Sequence, residues 1–208
     1  MATKIKSMWF CSSCGAESPK WEGRCPSCGE WNTMVEEKVS ATQSKKGIKR
    51  QTLKSVPRPI SEIESLNEPR ILMPSRELNR VLGGGLVAGS LVLIGGEPGI
   101  GKSTLVLQNI LSLRSRTILY VSGEESAQQL KLRADRIGRL SESCLIVCET
   151  SLENIFRHLE SVNPDILIVD SIQTIASDAI ESSAGSVSQV RECSAQLLKY
   201  AKETGGAV

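Results

Sequence analysis

Leu91-Val92-Leu93-Ile94-Gly95-Gly96-Glu97-Pro98-Gly99-Ile100-Gly101-Lys102-Ser103-Thr104 decides how this chain is read. Four aliphatic residues lead into a loop with glycines at 96 and 101, followed directly by Lys102 and Ser103. Glycines let backbone N–H groups turn inward around phosphate oxygens, and a helix opening at Lys102 adds the positive end of its dipole. Lys102 is placed to reach the β- and γ-phosphates, and Ser103 to offer its hydroxyl to Mg2+. Gly95, Gly96, Glu97, Pro98, Gly99, Ile100, Gly101, Lys102, Ser103 and Thr104 are therefore expected to bind ATP, with Lys102 also serving catalysis.

Outward from this loop, apolar runs alternate with helical periodicity. Leu91–Ile94 is expected as a buried strand, followed by a helix from Lys102 to Leu113 and a strand from Thr117 to Val121. Ser126 and Gln129 form a capping box for a helix that turns Leu130, Ala134 and Ile137 to one side. Leu145-Ile146-Val147 is a third strand. Thr150 and Glu153 are expected to cap the next helix, which buries Leu152, Ile155, Phe156 and Leu159 and breaks at Asn163-Pro164. Ile166–Asp170 is a fourth strand, and Val187–Glu203 a long helix with Val190, Cys193, Leu197 and Ala201 on its face. Short apolar strands alternating with helices imply an α/β fold with a parallel sheet covered on both sides.

Carboxylates sit where such a sheet binds ligands. Asp170 ends an apolar strand, the place of the second Mg2+-holding group in phosphate-binding folds. Glu124 and Glu125 follow the strand ending at Val121 through Ser122-Gly123, at the C-terminal edge of the sheet. Glu124 is expected to be the general base, with Glu125 the alternative.

Near the start, Cys11-Ser12-Ser13-Cys14-Gly15 and Cys25-Pro26-Ser27-Cys28-Gly29 are two knuckles, with ten residues between Cys14 and Cys25. Four thiolates at this spacing favour a closed tetrahedral Zn2+ site held by Cys11, Cys14, Cys25 and Cys28. So short a module should lose its fold without metal. Its tryptophans, Trp21 and Trp31, are expected in its core, although with Lys20 and Arg24 they also suit base stacking and phosphate contact. Residues 1–33 thus read as a four-cysteine ribbon, 34–60 as a basic flexible linker and 61–208 as the ATP-binding domain. From Lys38 to Pro59 the linker carries Lys38, Lys45, Lys46, Lys49, Arg50, Lys54 and Arg58 and no acid. A solvated tether and an arm that touches phosphates are both readings of it.

Composition removes several classes. The 208 residues carry 25 Lys and Arg against 23 Asp and Glu, so a uniformly basic nucleic-acid binder is excluded and local patches must do such work. No apolar stretch is long enough to cross a membrane, and no apolar core follows the first lysines as a secretion signal needs. Seven cysteines without such a signal suit metal and free thiols in the cytoplasm. Cys144, Cys148 and Cys193 are expected as buried free thiols, and His158, the sole histidine, as a boundary residue.

Taken together these residues resemble the bacterial RadA (Sms) DNA-repair proteins, RecA-like ATPases of the DnaB-helicase type. The likeness lies in the cysteine ribbon with Trp21-x-Gly23-x-Cys25, the turn Leu82-Gly83-Gly84-Gly85, Gly95 to Thr104, Tyr120-Val121-Ser122-Gly123-Glu124-Glu125-Ser126, Asp170-Ser171-Ile172-Gln173 and Gly185-Ser186-Val187-x-Gln189-Val190-Arg191-Glu192. It implies a RecA-like P-loop ATPase core. It also implies a DNA-dependent, helicase-like ATPase of repair and homologous recombination that promotes branch migration, with single-stranded DNA inside a homo-oligomeric ring, a hexamer by this resemblance. Branched DNA and recombinase or replication proteins would be its partners. Glu124 would be the catalytic glutamate, and Ala176–Ser186 would lie near the DNA path.

The chain departs from that pattern at Asn79 and Ala88, where the family usually carries an acid and a proline. Both are expected in the turn before the phosphate loop. The family continues beyond the residues matched here, so the chain is expected to be a fragment that hydrolyses ATP poorly. A signalling ATPase or autokinase on the same core, and a zinc-dependent adaptor that binds nucleotide without turnover, are the competing readings.

Overall fold

A computed structural model describes residues 6–39, 59–62, 70–138 and 140–208. The basic run at 45–58 therefore lies outside the described residues. The ribbon is a three-stranded antiparallel sheet in which β1 (Lys6–Cys11) lies between β2 (Glu17–Ser18) and β3 (Met34–Val39). β3 pairs along its whole length with β1, from Cys11↔Met34 to Lys6↔Val39. Residues 34–39, expected to begin the linker, are thus strand.

Of the ribbon's three indoles, only Trp9 packs against its core. The ribbon's buried hydrophobic residues are Phe10, Cys11, Cys25 and Met34, with Trp9 and Ala16 packed against the cysteines and the methionine. Trp31 is 69% exposed and Trp21 54%, which corrects the expectation that both form the core.

The larger unit opens with the two-stranded pair β4 (Arg70–Ile71) and β5 (Leu86–Val87), which brackets α1 (Arg76–Val81). Asn79 lies in α1, not in the turn before the phosphate loop. Its amide clamps Met73, accepting from the Met73 N–H at 2.8 Å and donating to the Met73 carbonyl at 2.7 Å. An ionised acid there has no proton to donate to that carbonyl, so the amide makes a bond that a carboxylate cannot.

The central sheet has the order β7 (Cys144–Cys148), β6 (Ile118–Ser122), β8 (Ile166–Asp170), all parallel. Every residue of β6 is buried, as befits the middle strand. Its side chains alternate between faces. Ile118 and Tyr120 meet Leu107, Ile110, Leu130 and Ala134 from α2 (Lys102–Ile110) and α3 (Ala127–Ile137). Leu119 and Val121 meet Leu152, Ile155, Leu159, Cys193 and Leu197 from α4 (Leu152–Val162) and α5 (Val187–Thr204). Each fully buried aliphatic side chain contributes roughly 1.5–3 kcal/mol, and the two-sided cover uses both faces of one strand.

Beyond β8 the chain's last residues continue the sheet. Leu167 N–H donates to Ala207 at 2.8 Å, Val208 N–H to Ser90 at 2.8 Å, and Val92 N–H to Val208 at 2.8 Å. Residues 89–92 therefore lie beside 205–208. The expected buried strand at Leu91–Ile94 is not formed. Val92, Leu93 and Ile94 are 38%, 78% and 37% exposed.

Two smaller corrections concern local chemistry. The cap of α4 is Ser151, whose hydroxyl accepts from Asn154 N–H; Thr150 is not used. Of the thiols expected to be buried, Cys148 is exposed at the end of the edge strand β7, Cys144 is partly buried, and Cys193 is buried on the inner face of α5.

Candidate functional site

Helix termini single out one position. α1, α3, α4 and α5 each open on a serine, Ser75, Ser126, Ser151 and Ser186, whose hydroxyl accepts a first-turn N–H. α2 opens on Gly101, which has no side chain to do so. Its first-turn amides and the positive end of its dipole are left for an anion. Gly99 and Gly101 have φ of 80° and 100°, a region other residues enter only with strain. Nothing lies within 4 Å of a Cβ built on either, so backbone conformation, not space, calls for glycine there. The Lys102 ammonium donates to the carbonyls of Gly96 at 2.8 Å and Glu97 at 2.9 Å, which holds the charge across the loop.

A second corner forms where β6 and β8 end side by side. Ser122 stands in register with both Cys148 and Asp170. Gly123 N–H donates to the Asp170 carbonyl at 2.9 Å, and the Asp170–Ser171 peptide is cis. Ser171 Oγ donates to Glu124 Oε1 at 2.9 Å. The Tyr120 hydroxyl donates to Asp170 Oδ2. Burial, reinforced by that carboxylate, pushes the Tyr120 phenol well above its usual range, so it stays a protonated donor. Glu125 is turned away from this corner to an ion pair with Arg133 of α3. Glu124 and Asp170 thus share one corner. No hydrogen bond or ion pair among the described residues joins Lys102 or Ser103 to either.

The donor set suits the groups expected. A serine hydroxyl, a carboxylate and an ammonium beside open amides are hard ligands for Mg2+ and phosphate. In the ribbon the four sulfurs lie within 4.8 Å of one another, with Cys11–Cys28 at 3.7 Å and Cys14–Cys25 at 3.6 Å. A tetrahedron with Zn–S bonds of about 2.3 Å spaces its sulfurs by about 3.8 Å, so the pocket fits that ion. Each knuckle closes with a glycine N–H, Gly15 to Cys11 at 2.8 Å and Gly29 to Cys25 at 2.9 Å. The Thr33 hydroxyl, 3.2 Å from Cys11 Sγ, leads the effects that bring that thiol down to about 6. The lowered value favours the thiolate form that a metal ion takes up.

The stretch Ala176–Ser186 is tied down from below. Gln189, 1% exposed, accepts from Ser177 N–H and donates to the carbonyls of Ser177, Ile180 and Ser182. Glu153 accepts from Ser177 Oγ and Asp178 N–H. Sequence reasoning assigned no task to Gln189, Tyr120, Ser171 or Thr33. A signal existed for two of them: a phenol inside the aliphatic run Ile118–Val121, and an amide on the apolar face of a long helix.

The model of the rubredoxin metal binding domain family matches residues 9–36, and that of the AAA domain family matches residues 57–208. A Bacillus subtilis protein named DNA repair protein RadA is 53% identical over 207 residues, 97% of this chain and 45% of that protein. Its namesake in Halalkalibacterium halodurans is 49% identical over 210 residues, 99% of this chain and 46% of that one. The chain spans about half the length of these relatives. The crystal structure of a KaiC-like protein from Pyrococcus horikoshii OT3 superposes with a TM-score of 0.50 at 24% identity, covering 67% of this chain and 68% of that one. That likeness concerns the fold, a RecA-like α/β core with a parallel sheet, here preceded by the four-cysteine ribbon.

Proposed function

Because the chain belongs to the AAA domain family and has bacterial RadA proteins among its relatives, we propose that it is an ATP-hydrolysing unit of DNA repair and recombination. The observation that carries this is the opening of α2 on glycine while every other described α-helix is capped by serine. In this reading Gly95–Thr104 wrap the triphosphate, and Lys102 leaves its carbonyl partners for the β- and γ-oxygens. Ser103 and Asp170 hold Mg2+, which supplies charge neutralisation on the transferring phosphate when bound. Glu124, at the corner of β6 and β8, takes a proton from the attacking water. Glu125 is already engaged by Arg133, which favours Glu124 for this role.

The ribbon holds Zn2+ through Cys11, Cys14, Cys25 and Cys28, an ion that supplies structure there and no turnover. Single-stranded and branched DNA are the proposed substrates of the assembled protein, with Ala176–Ser186 along the DNA path, branch migration as the work done and a homo-oligomeric ring as the working form. The cytoplasm is the proposed location; no described helix is long and apolar enough to cross a membrane.

The test combines calorimetry with an ATPase assay, each with and without single-stranded DNA. Wild type should give heat with ATP and Mg2+, and DNA should raise its turnover. Lys102→Ala should lose the heat. Glu124→Gln should keep the heat and lose turnover by on the order of 100-fold or more, the scale of removing one preorganised group at the reacting centre. Folded wild type that gives no heat with ATP and Mg2+ would sink the reading. Turnover indifferent to DNA would favour a signalling ATPase instead.

A further inference from the structure

We propose that Tyr120 is a positioning residue for the metal-facing carboxylate of Asp170. The inference rests on the reading of Asp170 as a Mg2+ ligand. It begins with an anomaly in β6. Ile118, Leu119 and Val121 are aliphatic, and all five residues of the strand are buried. Tyr120 is fully buried among Leu107, Ile110, Leu130 and Ile166. Phenylalanine would fill the same volume without carrying a hydroxyl out of water, so packing does not account for the oxygen.

The oxygen has a single destination among the described residues. Tyr120 stands in register with Ile168, and Asp170 lies two residues further along β8 on the same face. The phenol spans that step and donates to Asp170 Oδ2. One carboxylate oxygen is thereby held and the other left for a ligand. A carboxylate at a strand end, otherwise free to rotate, is fixed by a donor that is itself locked in the core. Groups that orient metal ligands from behind typically change metal affinity 10–100-fold when removed.

The experiment follows binding of a fluorescent ADP to the full chain while Mg2+ is titrated, for wild type, Tyr120→Phe and Asp170→Asn. Tyr120→Phe should raise the Mg2+ concentration at half-effect about 10-fold and leave nucleotide affinity in chelator unchanged. A merely packing role predicts no movement of that midpoint. An unmoved midpoint in Tyr120→Phe, with a raised one in Asp170→Asn, overturns the role of Tyr120 alone. An unmoved midpoint in Asp170→Asn removes Asp170 as a metal ligand, and the role of Tyr120 with it. Should Tyr120→Phe fail to fold, fluorotyrosine in the Tyr200→Phe chain reports on position 120 directly. Its 19F resonance should move when Mg2+ joins the nucleotide and not with nucleotide alone, and a resonance indifferent to Mg2+ overturns the proposal.

Discussion

Gly123 shows how little room there is at the corner where β6 and β8 end. A Cβ placed on it would come 1.9 Å from Thr174 Oγ1 and 2.6 Å from Thr174 Cβ. Thr174 cannot retreat freely, since its hydroxyl donates to the Ser171 carbonyl at 2.8 Å and its N–H to the same carbonyl at 3.1 Å. Gly123→Ala should therefore push the β6 and β8 ends apart and destabilise the chain by about 1–3 kcal/mol, the scale of overpacking. Urea unfolding reads the stability, and ATP turnover should fall further than the stability change explains. Unaltered turnover in Gly123→Ala would show that the spacing of Glu124 and Asp170 is not critical.

At the level of elements, α5 is more than a cover for the sheet. Gln189 turns from its buried face to satisfy one N–H and three carbonyls of the preceding loop. An aliphatic residue of similar size would strand those groups away from water, at about 1–3 kcal/mol for each left unsatisfied. Gln189→Leu should keep α5 helical and release residues 177–182, seen as lost amide protection there in hydrogen exchange. If this loop follows the DNA path, DNA stimulation of turnover should fall while ATP affinity holds. Retained protection at 177–182 would mean that Glu153 alone suffices to order it.

Across the whole molecule, ribbon and core are joined lightly within the described residues. Arg191 of α5 donates to the Gly15 carbonyl at 2.7 Å and pairs with Glu17 at 3.4 Å, both side chains about half exposed. Val187 lies beneath Gly15, where a Cβ would approach its Cγ1 to 2.7 Å. Exposed pairs of this kind contribute about 0–1 kcal/mol. The ribbon's own core is two cysteines, a methionine and Phe10, with Trp9 against it, too small to fold unaided. Chelation should then strip amide protection from residues 6–39 while β6 and β8 keep theirs. Simultaneous loss in β6 would show that metal binding stabilises the core as well.

The phosphate loop, the knuckles, the parallel strands and the serine cap of α3 were legible because each depends on neighbours a few residues away. Gly-Lys-Ser spacing, Cys-x-x-Cys-Gly and apolar runs are local chemistry written in order. Asp170 at a strand end and Glu124 after one were legible for the same reason. Other features hang on partners far along the chain. Whether Leu91–Ile94 pairs depends on residues 205–208, more than a hundred positions away. Whether Trp21 and Trp31 are core depends on how much volume a metal-sized ribbon encloses. Tyr120 acquired a task only when β8 was laid beside β6, fifty positions later. Composition and spacing settle which chemistry is available, since they are properties of short segments. Which oxygen is held, which indole is bare and which strand is flanked are matters of long-range contact, and folding alone brings those groups together.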